Sequence, residues 1–436
     1  MNTAKAQSET NCIPQAEVQA IAVNYPQFAG FAKAPYCNDG SQDWQMLSAM
    51  MFMRKTQFSA TMPKSKDELF SGRFAANWYG YFIARIDKLE VQECAKGIVA
   101  FVKPGADKTM HLCQLALTDR YSSVDRATVM MHEARHMDGF PHMTCTRGAR
   151  KDMNRACDLQ ISDGGSYGVT VETYAQFAKF AEGVHPALKA YARSAAIIYA
   201  EEAFENPVRI NRSETLLALT NNLNFFAVDT KTAATKQLGN APALGKIVRR
   251  GSHLVLFPND KSLKARYVFA NGEGEVEQSP SDFVSEYNTQ TPELKATLVD
   301  YHIGAQWHAR VYKSSVVFLC DKTLELTEVP LPAGHVAVGL AYPEGYSREV
   351  YTAKLLTESG EVLELSCVNK QATIVPSELK LDQKYTRIYK ANGAVWGLLD
   401  GKLYKVDGEK SSPLQTALDG SISEIVPQDS FEFFNQ

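Results

Sequence analysis

The chain is notable first for what it has little of. No apolar run approaches the roughly 18 residues that a membrane-spanning helix needs. Charge of neither sign dominates: the formal net charge is −3 over 436 residues. A near-neutral surface argues against nucleic acid or an anionic membrane as partner. None of the eight cysteines forms a C-x-x-C pair, which disfavours a cysteine-held zinc knuckle. The first residues carry no basic-plus-apolar signal pattern, so the expectation is a mature form with an added Met1. Histidine is scarce too, with nine in the whole chain. Three of those nine fall within eleven residues, and that concentration is the most informative feature present.

The stretch His132-Glu133-Ala134-Arg135-His136-Met137-Asp138-Gly139-Phe140-Pro141-His142 reads H-E-x-x-H-x-x-G-x-x-H. On a helix, residues four apart share a face, so His132 and His136 can grip one metal ion. Glu133 between them can take a proton from a water held there. Gly139 permits a sharp turn after the helix, which lets His142 return as a third nitrogen ligand. Three protein ligands leave one position open, the mark of a catalytic rather than structural zinc site. Val124, Ala127, Met131 and Ala134 recur at helical spacing through the motif. Ser122 and Asp125 match a capping box, and Gly139 is a helix stop. Arg135 sits at an unconstrained position and reads as a surface or salt-bridging residue.

This stretch resembles the metzincin group of zinc metallopeptidases. The resemblance implies that His132, His136 and His142 bind Zn2+, with Glu133 as general base. It also implies a methionine turn, for which Met153 is the candidate. A second resemblance is to the aspzincin group, carried by Gly97 to Gly105, Met110-His111-Leu112-Cys113 and Asp163-Gly164-Gly165-Ser166-Tyr167-Gly168. It implies an aspartate as third ligand, Asp163 or Asp158, while a glutamate-type zincin would use Glu172. The expected order is His142, then Asp163 or Asp158, then Glu172. Tyr167 follows a Gly-Gly turn and is the candidate stabiliser of a developing oxyanion.

The length predicts two domains. Residues 1–232 read as an α+β zincin-like metallopeptidase domain. Helices are expected over Ser41–Thr56, Phe74–Leu89, 168–183 and 186–205, with strands over 95–103 and 109–118. The strand 109–118 is the expected edge for pairing with extended substrate. A linker is expected near Ala233–Ala243. Residues 244–436 alternate apolar and polar between turn signals such as Asn392-Gly393 and Asp400-Gly401, which predicts an all-β accessory domain. A β-propeller is favoured for it and a β-sandwich is the alternative. That domain shows no convergent acidic, Cys or His cluster; His302, His308 and His335 are scattered.

The cysteines divide as six (Cys12, Cys37, Cys94, Cys113, Cys145, Cys157) and two (Cys320, Cys367). Even counts in each half predict disulfides, with Cys145–Cys157 pinning His142, and so a secreted or periplasmic protein. The expected function is zinc-dependent hydrolysis of peptide bonds in a protein or peptide substrate, with a possible protein partner for the β-domain. Two alternatives stand beside it: a zinc amidase or peptidase acting on cell-wall peptides, and an inert zincin-fold binding protein whose β-domain carries the function.

Overall fold

The computed structural model describes residues 12–431 except 61–76, 96–97, 104, 106, 118–120, 148–149, 185, 208–211, 251–252, 269–289, 304–307, 320–325, 347–349 and 369–370. The chain divides into two compact units, residues 1–210 and most of 211–436.

In the first unit β1 (Cys12–Ile13) pairs with β2 (Tyr36–Cys37), and helix α1 (Gln15–Ala22) lies between them in sequence. Helix α2 (Gln42–Lys55) starts at Ser41, whose hydroxyl accepts the Trp44 N–H at 3.1 Å. Its methionines Met46, Met50 and Met53 are buried core, as their helical spacing implies. The expected helix over Phe74–Leu89 is cut short. Helix α3 covers only Trp78–Ile83, and the chain turns into strand β3 (Lys88–Gln92), which pairs in parallel with β5. Strands β4 (Ala100–Val102) and β5 (Thr109–Cys113) complete a sheet of order β3-β5-β4. The segment expected to offer a free edge, 109–118, supplies the central strand β5, paired on both sides. Among the described residues the edge strands are β3 and β4. Helix α4 (Ser123–His136) follows with the full capping box: Ser122 and Asp125 exchange side-chain and backbone bonds. Then come β6 (Asp158–Gln160), helices α5 (Ser166–Phe180) and α6 (Pro186–Glu202), and β7 (Phe204–Asn206), which pairs with β6. Disulfides join Cys12 to Cys37, Cys94 to Cys113 and Cys145 to Cys157.

Among the described residues the second unit forms five antiparallel sheets arranged as the blades of a β-propeller. The first blade holds β8 (Arg212–Thr220), β9 (Asn224–Val228) and β10 (Thr235–Asn240). The second holds β11 (Gly245–Arg250), β12 (His253–Pro258) and β13 (Arg266–Val268). After helix α7 (Pro292–Thr297) the third runs through β14 (Leu298–Ile303), β15 (His308–Tyr312), β16 (Ser315–Leu319) and β17 (Leu326–Pro330). The fourth is β18 (Ala337–Tyr346), β19 (Val350–Thr357), β20 (Val362–Val368) and β21 (Gln371–Pro376). The fifth is β22 (Arg387–Ala391), β23 (Ala394–Leu399), β24 (Lys402–Asp407) and β25 (Lys410–Leu414). The last strand, β26 (Ile422–Phe431), returns to pair with β8 and completes the first blade. Strands β11, β14, β18, β22 and β26 touch in sequence around a closed circle. Five separate sheets around one centre set the sandwich alternative aside. The expected linker at Ala233–Ala243 is also corrected. Thr235–Asn240 is strand β10, held in the first blade by β9, so the boundary falls near residue 210.

The hairpin signals worked through backbone sterics. Asn392-Gly393 and Asp400-Gly401 are two-residue turns with φ of 51° and 76°, and 50° and 71°. Both residues of such a turn need positive φ, which Asn, Asp and Gly tolerate best. Cys367 is disulfide-bonded; its expected partner Cys320 lies outside the described residues.

One residue from each innermost strand meets the others: Lys246, Asp300, Gly339, Arg387 and Glu424. Register shifts in β14, β18 and β26 fall just before Asp300, Gly339 and Glu424. Arg387 donates to Asp300 at 2.5 Å and to Glu424 at 2.6 Å, and all three are buried. Lys246 bonds the Val338 carbonyl. A Cβ on Gly339 would stand 2.6 Å from Arg387 and 2.9 Å from Asp300. The fifth position is therefore glycine because the ion pair crosses the space a side chain would fill. Removing one partner of a buried pair leaves an uncompensated charge, at about 3–5 kcal/mol. Arg387→Met should accordingly lower the unfolding free energy of the full chain, read from its urea transition, by such an amount, and Gly339→Val should act in the same direction. An unchanged midpoint for Arg387→Met would remove the ring as a brace.

Candidate metal centre

Helix α4 sets the first two ligand candidates. His132 and His136 lie one turn apart on it, and their ring centroids are 5.0 Å apart. Gly139 then adopts φ of 87°, with its N–H on the His136 carbonyl at 3.0 Å. That left-handed turn reverses the chain and brings His142 back. The Nε2 atom of His142 lies 2.9 Å from that of His132 and 3.2 Å from that of His136. Nitrogens around a tetrahedral zinc stand about 3.3 Å apart, given bonds of about 2.0–2.1 Å.

The outer nitrogens explain why the inner ones converge. His136 Nδ1 donates to the Phe140 carbonyl at 2.6 Å. His142 Nδ1 meets Asp158 Oδ1 at 2.8 Å. His132 Nδ1 donates to the Thr170 hydroxyl at 2.8 Å, which in turn donates to the Ser166 carbonyl at 3.2 Å. These partners assign the tautomers. A neutral imidazole whose Nδ1 donates presents a bare lone pair at Nε2. Burial, followed by the charge of His142, holds both His132 and His136 below the ordinary histidine range, His136 at about 4. At neutral pH their lone pairs are therefore free to bind. A proton on His142 Nε2 could bridge only one of its two contacts, whereas one cation satisfies all three nitrogens. The three histidines could hold a metal ion.

The other proposed ligands fall elsewhere. Asp158 stands behind His142. Its Oδ2 accepts the backbone N–H of Tyr167 at 2.8 Å and of Gly168 at 3.4 Å. It thus caps helix α5 while orienting His142, a carboxylate–histidine arrangement that fixes the ring. A Cβ on Gly165 would come within 2.4 Å of that carboxylate, so glycine is needed at 165 for the cap to form. Asp163 is exposed and accepts from Gln160 at 2.7 Å. Glu172 is buried two turns into α5, outside the nitrogen cluster. Neither joins the three-histidine group.

Glu133 is buried, and its carboxylate is bonded by the Val102 N–H on edge strand β4. Burial pushes its carboxyl up to about 8. A dication beside it would favour the ionised form. Tyr167, second residue of α5, packs its ring 4.4 Å from His142 and 4.9 Å from His132. It forms a wall of the site. Arg135 does more than the sequence suggested. It donates to the Gly164 carbonyl at 2.7 Å and to Asp138 at 2.7 Å, and it covers the Phe140 ring at 3.9 Å. It thereby ties the turn after α4 to the start of α5. The Cys145–Cys157 disulfide joins the segment after His142 to the segment before Asp158, and Met143 and Met153 pack against it. Sequence reasoning missed Thr170 and Arg150, because nothing in their local pattern places them beside the histidines.

No protein-family description matches the chain, and no curated protein matches it. Among solved structures it is similar to the N-terminal domain of Nup159, at 9% identity and a TM-score of 0.23 over 50% of this chain and 65% of that one. It is also similar to apo AztD from Citrobacter koseri, at 12% identity and a TM-score of 0.23 over 49% of this chain and 89% of that one. BamB from Moraxella catarrhalis gives 9% identity and a TM-score of 0.21 over 49% and 69%. Likenesses this weak carry nothing beyond themselves; the propeller rests on its own strand pairing.

Two outcomes test the site. Asp158→Asn should weaken metal binding by about 10–100-fold, the usual cost of losing an outer partner of a ligand histidine, as read by competition with a chromophoric chelator. Unchanged affinity would show that Asp158 serves only the helix. In metal-free protein Glu133 binds its proton more tightly folded than unfolded. Its contribution to stability is therefore complete below about pH 4.5 and is lost as pH rises to about 8. Metal-free Glu133→Gln should melt progressively above wild type between those limits, and parallel melting profiles would contradict the burial of that carboxyl.

Proposed function

We propose that this chain is a zinc-dependent endopeptidase of zincin type that works outside the cytoplasm. The observation that carries the reading is the convergence of three imidazole lone pairs beside a buried glutamate. Zinc suits three neutral nitrogens and leaves a fourth position open. When bound there, zinc supplies Lewis-acid polarisation of a carbonyl and lowers the pKa of a water.

The chain's own residues would do the rest. Glu133 takes a proton from the attacking water and hands it to the leaving amine, as a general base that becomes a general acid. The Val102 N–H holds its carboxylate in place. The outward edge of β4 offers backbone groups to an extended peptide, which would add as a further strand. That edge is brought next to Glu133 by the same Val102 contact. Tyr167 walls the histidines and would donate to a developing oxyanion. Thr170, the Phe140 carbonyl and Asp158 keep the three rings from turning.

The disulfides fit an oxidising compartment, secreted or periplasmic. Among the described residues no helix is long and apolar enough to cross a membrane. The propeller offers loop-bearing faces for a protein partner or substrate.

Glu133→Gln should retain one zinc per chain and lose at least about a thousandfold in peptide hydrolysis, at the upper part of the range for general acid–base catalysis. Retained hydrolysis would remove Glu133 from the chemistry. A panel of protein and cell-wall peptides, run with wild type and variant together, reads the substrate class. If wild type cleaves none while its biological effect survives in Glu133→Gln, the chain acts by binding.

A further inference from the structure

Arg150 is a buried cation beside a cation site. It lies in the loop closed by the Cys145–Cys157 disulfide and is 8% exposed. Its guanidinium stands 4.8 Å from the centroid of the Tyr167 ring and 5.3 Å from that of Tyr199. One N–H group donates to the Ala156 carbonyl at 3.0 Å. Its Nε has no hydrogen-bond partner. Among the described residues no ion pair joins it to a carboxylate. Glu202 is near enough to feel its charge, yet the Glu202 Oε2 is also buried and unpartnered. Asp158 is already engaged by His142 and the N-terminus of α5.

A buried guanidinium with no carboxylate hydrogen-bonded to it leaves much of its charge acting on its surroundings. Placing it where its field reaches His132 and the Tyr167 phenol works against a bound dication. That arrangement is stabilising only when a negative charge joins the metal. We propose that Arg150 is a positioning residue that fixes Tyr167 against His132 and His142 and biases the metal's open position toward an anionic oxygen ligand. The inference rests on the three histidines holding a metal, and it deepens the peptidase reading. The anion is either a substrate carboxylate or the developing oxyanion of peptide hydrolysis.

The test uses the full chain loaded with Co2+, whose visible spectrum reports its ligands. Acetate serves as the anionic probe and imidazole as the neutral one, titrated into wild type, Arg150→Met and Arg150→Lys. Loss of a unit charge at this range through partly buried protein should weaken acetate about tenfold in Arg150→Met. Cobalt uptake and imidazole affinity should hold, and Arg150→Lys should recover most of the acetate binding. Equal acetate affinity in all three proteins overturns the proposal. So does a parallel loss of cobalt, acetate and imidazole, which marks Arg150 as packing alone. Failure of wild type to take up cobalt overturns the metal site itself. In peptide assays, loss of turnover on end-blocked peptides assigns the anion to the oxyanion, and loss confined to peptides with a free C-terminus assigns it to a substrate carboxylate.

Discussion

Three imidazole nitrogens, between which one proton can bridge only a single pair, are held within about a hydrogen bond's length of one another. Lone pairs so placed repel, and the fold spends several independent contacts to keep them there. Each ring is gripped from behind by a different kind of acceptor: a threonine hydroxyl, a backbone carbonyl and a carboxylate. A cation bound by all three would relieve that repulsion. With it, the capping box that starts α4, the left-handed turn at Gly139, the disulfide beyond His142 and the glycine at 165 all follow as ways of delivering or fixing one ring.

Asp158 shows how economically the site is tied to the fold. One oxygen orients His142 and the other accepts from the first N–H groups of α5. The same helix carries Tyr167 and Thr170, which touch His142 and His132. A shift of α5 is therefore felt at two ligands at once. The three histidines lie at a joint among helix α4, helix α5 and the loop between them, where an ion, if bound, and the local fold would stabilise each other.

The second unit solves a different electrostatic problem by the opposite means. Its central charges are paired inside the protein, Arg387 with Asp300 and Glu424, and a glycine is kept where a fifth side chain would obstruct them. No cation is asked for. The last strand, β26, both supplies Glu424 and closes the first blade with β8, so ring closure and charge pairing are one event. The contrast with Arg150, which among the described residues forms no ion pair with a carboxylate yet lies against Tyr167 beside the histidines, is what makes the latter informative.

Much of this was legible in the sequence. The spacing of His132, Glu133, His136, Gly139 and His142 encodes a helix face and a turn, because helical periodicity and glycine's tolerance of positive φ are local properties. The same holds for the capping box at Ser122 and the turns at Asn392-Gly393 and Asp400-Gly401. Pairing of Cys145 with Cys157 also followed from their closeness in the chain. What the sequence left open was set by contacts distant in the chain. The free edges moved from 109–118 to β3 and β4 because β3 pairs with β5 from a segment that reads as helix. The first blade begins before the expected linker because β26, some two hundred residues later, pairs with β8. Asp158 became an outer partner rather than a ligand, and Arg150 came to lie on Tyr167, because side chains far apart in sequence meet only when α4, α5 and the intervening loop pack. Local sequence determined which groups could serve a metal and how the chain turns around them. Tertiary packing alone decided which carboxylate stands behind which histidine and where charge is left unpaired, since those are questions of through-space distance.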